Sequence, residues 1–138
     1  GGLGKVLEVG TGCGYQAAVL SLLAQSVISV ERLKPLHDKA RTLLEPLRSS
    51  RLRLVYGDGM RGHPPNAPYD SIIAAAGGDS LPAAWLEQMA VGGRLVSPVV
   101  QPSSGQQALV VVDRTEQGYK HRVHEAVNFV PLKSGLIG

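Results

Sequence analysis

Cysteine, aromatic residues and charge are all scarce in this sequence. The single cysteine, Cys13, excludes an internal disulfide and a paired-cysteine metal knuckle. Four Tyr, one Phe and one Trp leave few platforms for stacking bases. The 14 Lys and Arg are scattered, with one local group at Arg48, Arg51 and Arg53. A nucleic-acid surface needs basic stripes and often aromatic platforms, and neither is here. No apolar run approaches the roughly 20 residues of a membrane span. Gly1-Gly2-Leu3-Gly4-Lys5 has neither the charged start nor the apolar stretch of a secretory signal. The expectation is a soluble, cytoplasmic chain with no nucleic-acid and no membrane partner.

What is present describes a globular domain. Hydrophobic residues make up 43% and charged residues 18% of 138 residues, which excludes disorder. That length is one domain, residues 1–138, with enough chain to bury a core. It is short for an enzyme carrying separate cofactor and substrate domains. The net charge of +3 is a mild excess of base.

The 17 glycines cluster at the edges of apolar runs. Lys5-Val6-Leu7-Glu8-Val9 reads as a strand, residues 15–25 as an Ala- and Leu-rich helix, and residues 26–31 as a second strand. Pro35 suits the first turn of a helix reaching about Leu47, whose sheet-facing stripe is expected at Leu36, Leu43 and Leu47. Further strands are expected over residues 51–56, 70–75 and 94–100, with a helix over 81–90 ended by Gly92-Gly93. Residues 107–114 and 119–129 flank Thr115-Glu116-Gln117-Gly118 as an antiparallel hairpin. Strands alternating with helices, then a hairpin, predict an α/β fold: a doubly wound, mostly parallel sheet with an antiparallel edge.

Ligands of such sheets bind at the carboxyl ends of the strands, and three of these ends carry unusual residues. After strand one, Gly10, Gly12 and Gly14 permit a tight turn and close approach of backbone to a ligand. A dinucleotide fingerprint needs glycine at position 15, where Tyr15 stands. The GxGxG spacing preceded by Glu8 favours a nucleoside-sulfonium cofactor over a pyrophosphate, although a tight strand–helix turn alone would use the same glycines. Glu31, ending strand two, can accept hydrogen bonds from both ribose hydroxyls, or pair with Arg32 or Lys34. Asp58, between Gly57 and Gly59 after strand three, can hold an adenine amino group or form an ordinary Asp-Gly turn.

These residues resemble the protein-L-isoaspartate (D-aspartate) O-methyltransferase family. The likeness rests on Val6-Leu7-Glu8-Val9-Gly10-Thr11-Gly12-Cys13-Gly14-Tyr15-Gln16 and on Ser29-Val30-Glu31-Arg32. It continues through Gly57-Asp58-Gly59, Tyr69-Asp70-Ser71-Ile72-Ile73, Gly92-Gly93-Arg94-Leu95-Val96 and Phe129-Val130-Pro131-Leu132, in family order along nearly the whole chain. The resemblance implies a class I, Rossmann-like methyltransferase using S-adenosyl-L-methionine. Its implied substrate is the free α-carboxylate of L-isoaspartyl residues in aged proteins, whose methyl ester closes to a succinimide. It places Gly10, Thr11, Gly12 and Gly14 at the methionine end of the cofactor, Glu31 at the ribose, and Asp58 with Gly59 at the adenine, and counts Glu8 among the cofactor-binding residues. Val130 and Pro131 resemble the segment that touches the substrate peptide.

The family's serine beside the methyl acceptor lies in a segment before the glycine-loop strand. That segment is expected to be missing from this chain, so no catalytic residue is assigned and uncovered apolar surface is expected near Gly10 and Asp58. Ala75 stands where the family usually has Thr or Ser, and His63 where many members have Trp. Cys13 reads as a packing residue and Trp85 as core. His37, His63, His121 and His124 share no metal-ligand spacing, so no metal is expected.

Overall fold

A computed structural model describes residues 2–12, 14–47, 51–75 and 77–124. Its seven strands form one sheet in the order β3-β2-β1-β4-β5-β6-β7. They are β1 (Lys5–Val9), β2 (Ser26–Glu31), β3 (Leu52–Tyr56), β4 (Tyr69–Ala74), β5 (Met89–Val100), β6 (Gln107–Thr115) and β7 (Gly118–His124). The first five run parallel, and β6 and β7 add antiparallel at one edge. The chain winds outward from β1 through β2 to β3, then returns to the other side of β1 at β4. That reversal opens a crevice at the carboxyl ends of β1 and β4.

Helices cover the two faces unequally. Helix α1 (Tyr15–Leu23) and helix α2 (Lys34–Leu44) lie on one face, where Ala17, Leu20, Ala24 and Leu44 pack with Val6, Val27 and Leu52. The short helix α3 (Ala83–Glu87) lies on the other, where Trp85 joins Leu7, Ile28, Val30, Ile72, Met89, Leu95 and Val112. Burial on both faces explains the nearly continuous apolar sequence of the inner strands. Two 3-10 turns, Gly59–Arg61 and Pro64–Asn66, replace a full helix between β3 and β4.

Several expectations need correction. Helix α2 buries His37, Ala40 and Leu44, whereas Leu36 and Leu43 are exposed; the side chain of Leu47 lies outside the description. Leucine spacing in α2 fits two helix faces, and Gly14 decides between them, because Leu44 and Ala40 pack against its bare Cα. The helix expected over 81–90 stops at Glu87, and β5 starts at Met89, ahead of Gly92-Gly93. Met89 pairs with Tyr69, and the register then shifts before Ser71 meets Arg94. Gly92, at φ +86, lets the strand bulge there instead of ending a helix. The hairpin forms as expected, with its second strand described only to His124.

Candidate functional site

The glycine loop follows from the register of the sheet. Gly10 continues the β1–β2 ladder, its N–H donating to the Val30 carbonyl at 2.8 Å, and Gly14 N–H donates to the Thr11 carbonyl at 2.9 Å. Between them the backbone turns through left-handed conformations at Gly10, Gly12 and Gly14 (φ +93, +55 and +89), which side chains disfavour. The three glycines face different surroundings. A Cβ on Gly10 would sit 3.4 Å from that of Ala75, one on Gly14 would strike Leu44, and one on Gly12 would meet nothing within 4 Å. Gly12 is thus the open point of the turn, and Gly14 is required by the packing of α1 on α2.

Glu31, at the end of β2, holds this turn. One carboxylate oxygen accepts from Gly12 N–H at 3.0 Å and the other from Leu33 N–H at 3.0 Å. Its own carbonyl accepts from Gly57 N–H at 3.0 Å, so β3 is registered against the same residue. Each carboxylate oxygen retains a further lone pair, the requirement for receiving two vicinal hydroxyls.

Beneath the loop lies a buried polar chain. Thr11 Oγ1 and Ser29 Oγ are 2.7 Å apart, and Ser29 donates to a Glu8 oxygen at 2.5 Å. Ser29 and Glu8 are fully buried and Thr11 nearly so. Burial pushes the Glu8 carboxyl up to about 7, opposed by the Ser29 hydroxyl and the Gln16 amide and reinforced by Glu31. Among the described residues, the second Glu8 oxygen, Oε2, is buried and accepts no hydrogen bond of ordinary geometry. A buried acceptor without a partner is costly and marks a place where a donor belongs.

The third strand end is pinned from two directions. The Asp58 carboxylate accepts from Met60 N–H at 3.0 Å and caps the 3-10 turn, and its carbonyl accepts from Arg61 N–H at 3.1 Å. Gly59 is buried so tightly on β1 that a Cβ would fall 2.5 Å from Val9 Cγ1. Its carbonyl accepts from the Trp85 indole N–H at 2.7 Å, which ties the turn to α3. Beside the loop, the exposed Ala75 donates its N–H to the Val9 carbonyl at 3.0 Å. The apolar side chains of Tyr15 and Met60 are exposed at this end of the sheet.

The structure therefore brings Glu8, Gly10, Thr11, Gly12, Glu31, Asp58 and Gly59 to three adjacent strand ends. Val130, Pro131 and Cys13 lie outside the described residues. Ser29 and Gln16 were not singled out from the sequence. A serine inside Val27-Ile28-Ser29-Val30, two residues before Glu31 and therefore on the same sheet face, was the available signal. The groups converging on the loop are acids and hydroxyls, which suits a ligand bearing a cationic amine and vicinal hydroxyls better than a pyrophosphate. S-Adenosyl-L-methionine fits these demands: an ammonium matches the unpartnered Glu8 oxygen, a ribose matches Glu31, and the open Gly12 leaves room for close approach. A separate cavity of about 460 Å³ lies at the opposite strand ends, lined by residues including Gly4, Asp70, Ser71 and Arg94, and shares no residue with this cluster. Among the described residues no group of His, Cys, Asp and Glu could hold a metal, and no helix is long and apolar enough to cross a membrane.

Comparison with known proteins follows the same lines. Residues 3–136 match the family model described as Protein-L-isoaspartate(D-aspartate) O-methyltransferase. The chain is 63% identical over 135 residues to a protein-L-isoaspartate O-methyltransferase of Leptothrix cholodnii, covering 96% of this chain and 47% of that one. It is 61% identical over 132 residues to the enzyme of the same name from Methylibium petroleiphilum, covering 95% and 49%. The chain thus spans about half the length of the curated relatives it matches. A solved protein-L-isoaspartate O-methyltransferase superposes with a TM-score of 0.76 at 33% identity, over 90% of this chain and 42% of the other. The same fold recurs, at a TM-score of 0.77 and 19% identity, in a Plasmodium falciparum protein solved in complex with S-adenosyl-L-homocysteine, over 91% of this chain and 64% of that one.

Proposed function

Since the chain belongs to the protein-L-isoaspartate(D-aspartate) O-methyltransferase family, we propose that it forms the cofactor core of a protein-repair methyltransferase. In this reading the methyl of S-adenosyl-L-methionine goes to the free α-carboxylate of L-isoaspartyl residues in damaged peptides and proteins. The observation that carries it is the set of acids at three successive strand ends, Glu8, Glu31 and Asp58, around a glycine turn open at Gly12.

The described residues have roles that their geometry supports, and Val130 and Pro131 have one that rests on the family resemblance. Glu31 receives the ribose hydroxyls while keeping its hold on Gly12 and Leu33. Glu8, Gly10, Thr11, Gly12 and Gly14 shape the methionine end, and the Asp58-Gly59 turn receives the adenine. Val130 and Pro131 contact the backbone of the substrate peptide. The bound cofactor supplies a methyl on a sulfonium, a good leaving group. The acceptor carboxylate, with an ordinary pKa near 4, is already an anion at neutral pH and needs no general base. What remains for the chain is alignment and exclusion of water, which explains a site without an acid–base dyad. A cytoplasmic setting, without nucleic-acid partners, accords with the lone cysteine and scattered charge.

The test is transfer of labelled methyl from S-adenosyl-L-methionine to an isoaspartyl peptide, with the matching aspartyl peptide as control. Labelling of the isoaspartyl peptide alone is expected, and equal labelling of both contradicts the assignment. One observation favours a second reading, a core that binds the cofactor without turnover: the chain spans about half its relatives' length. Saturable binding with no labelling of either peptide selects that reading.

A further inference from the structure

We propose that Ser29 is a positioning residue that aims Glu8 and the glycine loop at the methionine end of the cofactor. The inference rests on the functional reading above and adds a residue to it. Ser29 lies on β2 directly opposite Glu8 of β1 in the parallel register, and it is fully buried. A serine hydroxyl has one proton. Ser29 donates that proton to Glu8, so the 2.7 Å contact with Thr11 must run the other way, with Thr11 donating to Ser29. The chain of bonds therefore has one direction, Thr11 to Ser29 to Glu8.

Two consequences follow. Glu8 is held by one oxygen, which leaves Oε2, buried and unpartnered, as the atom available to a donor. Thr11, whose carbonyl accepts from Gly14 N–H within the turn, is anchored to the sheet by its side chain, and the turn around Gly12 is anchored with it. Among the described residues, Ser29 makes the one hydrogen bond of ordinary geometry to the Glu8 carboxylate. Ile73 flanks Glu8 on the β4 side, the facing polar group on α1 is the Gln16 amide, and the charged neighbour is the like-charged Glu31. Ser29 first, and Gln16 second, favour the ionised carboxylate that would attract a cationic amine.

The test is calorimetric titration of S-adenosyl-L-methionine into the chain between pH 6 and pH 8.5. It compares the unsubstituted protein with Ser29→Ala, Ser29→Thr, Glu8→Gln and the Ser29→Ala/Glu8→Gln double variant, with melting temperatures recorded in parallel. Affinity is expected to rise with pH as Glu8 ionises, up to the range near 8 in which the ligand's own α-ammonium loses its proton. Ser29→Ala should bind about tenfold more weakly at neutral pH. Its pH midpoint should move upward, a displacement that a packing defect does not produce, and Ser29→Thr should restore both. With Glu8→Gln the rising limb disappears, and adding Ser29→Ala should weaken binding by much less than tenfold. Ser29→Ala with unchanged affinity and midpoint overturns the proposal, as does a loss of affinity equally large in the Glu8→Gln background. Absence of binding by the unsubstituted chain at every pH overturns the functional reading itself, and this proposal with it.

Discussion

Replacing Glu31 by Gln separates the two jobs assigned to that carboxylate. The side chain is almost fully buried and accepts one backbone N–H on each oxygen, Gly12 on one and Leu33 on the other, both at 3.0 Å. An amide can keep only one of these bonds, and its NH₂ then faces the remaining backbone donor. A hydrogen bond to a charged group contributes about 1.5–3 kcal/mol, so folding stability should fall by about that much. In a domain of this size such a loss lowers the melting temperature by several degrees, about 4–12 °C. Binding should suffer a second, separate loss, because the amide offers one acceptor where two ribose hydroxyls require two. At about 1.4 kcal/mol per factor of ten, losing one such contact weakens S-adenosyl-L-methionine about 10- to 150-fold. Calorimetry at pH 7.5, well below the melting transition, reads the second loss, and thermal unfolding reads the first. A lowered melting temperature with unchanged affinity would refute the ribose assignment, leaving Glu31 as a tie for the loop and nothing more.

Other substitutions probe the frame around the site. Gly59→Ala places a Cβ 2.5 Å from Val9 Cγ1, an overpacking that should cost about 1–3 kcal/mol in urea unfolding and be partly relieved by Val9→Ala. Trp85→Phe removes the indole N–H from the Gly59 carbonyl; a loss of about 1–3 kcal/mol is expected, together with weaker cofactor binding at Asp58. Glu8 gives stability a pH dependence of definite sign. Its carboxyl holds a proton up to about 7 in the fold against 4.5 ordinarily, so the folded state binds more protons across that window. Its stabilising contribution is complete below pH 4.5, declines by about 3 kcal/mol as pH rises through 7, and is flat above. Glu8→Gln should flatten that decline and be more stable than the unsubstituted chain at pH 8, measured by urea unfolding across pH.

Local chemistry made some of this legible in the sequence. Gly10, Gly12 and Gly14 mark a sharp turn because a backbone at positive φ tolerates few alternatives, and Glu31 and Asp58 stand out as acids at the ends of apolar runs. What stayed hidden depends on neighbours distant in the chain. Gly14 looked like its two companions, yet its bare Cα serves the contact with Leu44 thirty residues away. The buried face of α2 could not be chosen from leucine spacing, because Leu36, Leu43, Ala40 and Leu44 satisfy helical periodicity on two faces. The bulged start of β5 turns on the pairing of Met89 with Tyr69, which no local pattern announces. Ser29 is an ordinary strand residue until the register sets it opposite Glu8 and beneath Thr11.

The central claim is that a cationic nucleoside ligand seats at the ends of β1, β2 and β3. The most direct measurement is the amide chemical-shift map of the labelled chain titrated with S-adenosyl-L-methionine. Saturable shifts are expected at Gly10, Thr11, Gly12, Glu31, Asp58 and Gly59, with Leu33 moving as Glu31 readjusts. Shifts concentrated instead around Gly4, Asp70 and Arg94 at the opposite end of the sheet, or none at millimolar ligand, would contradict it.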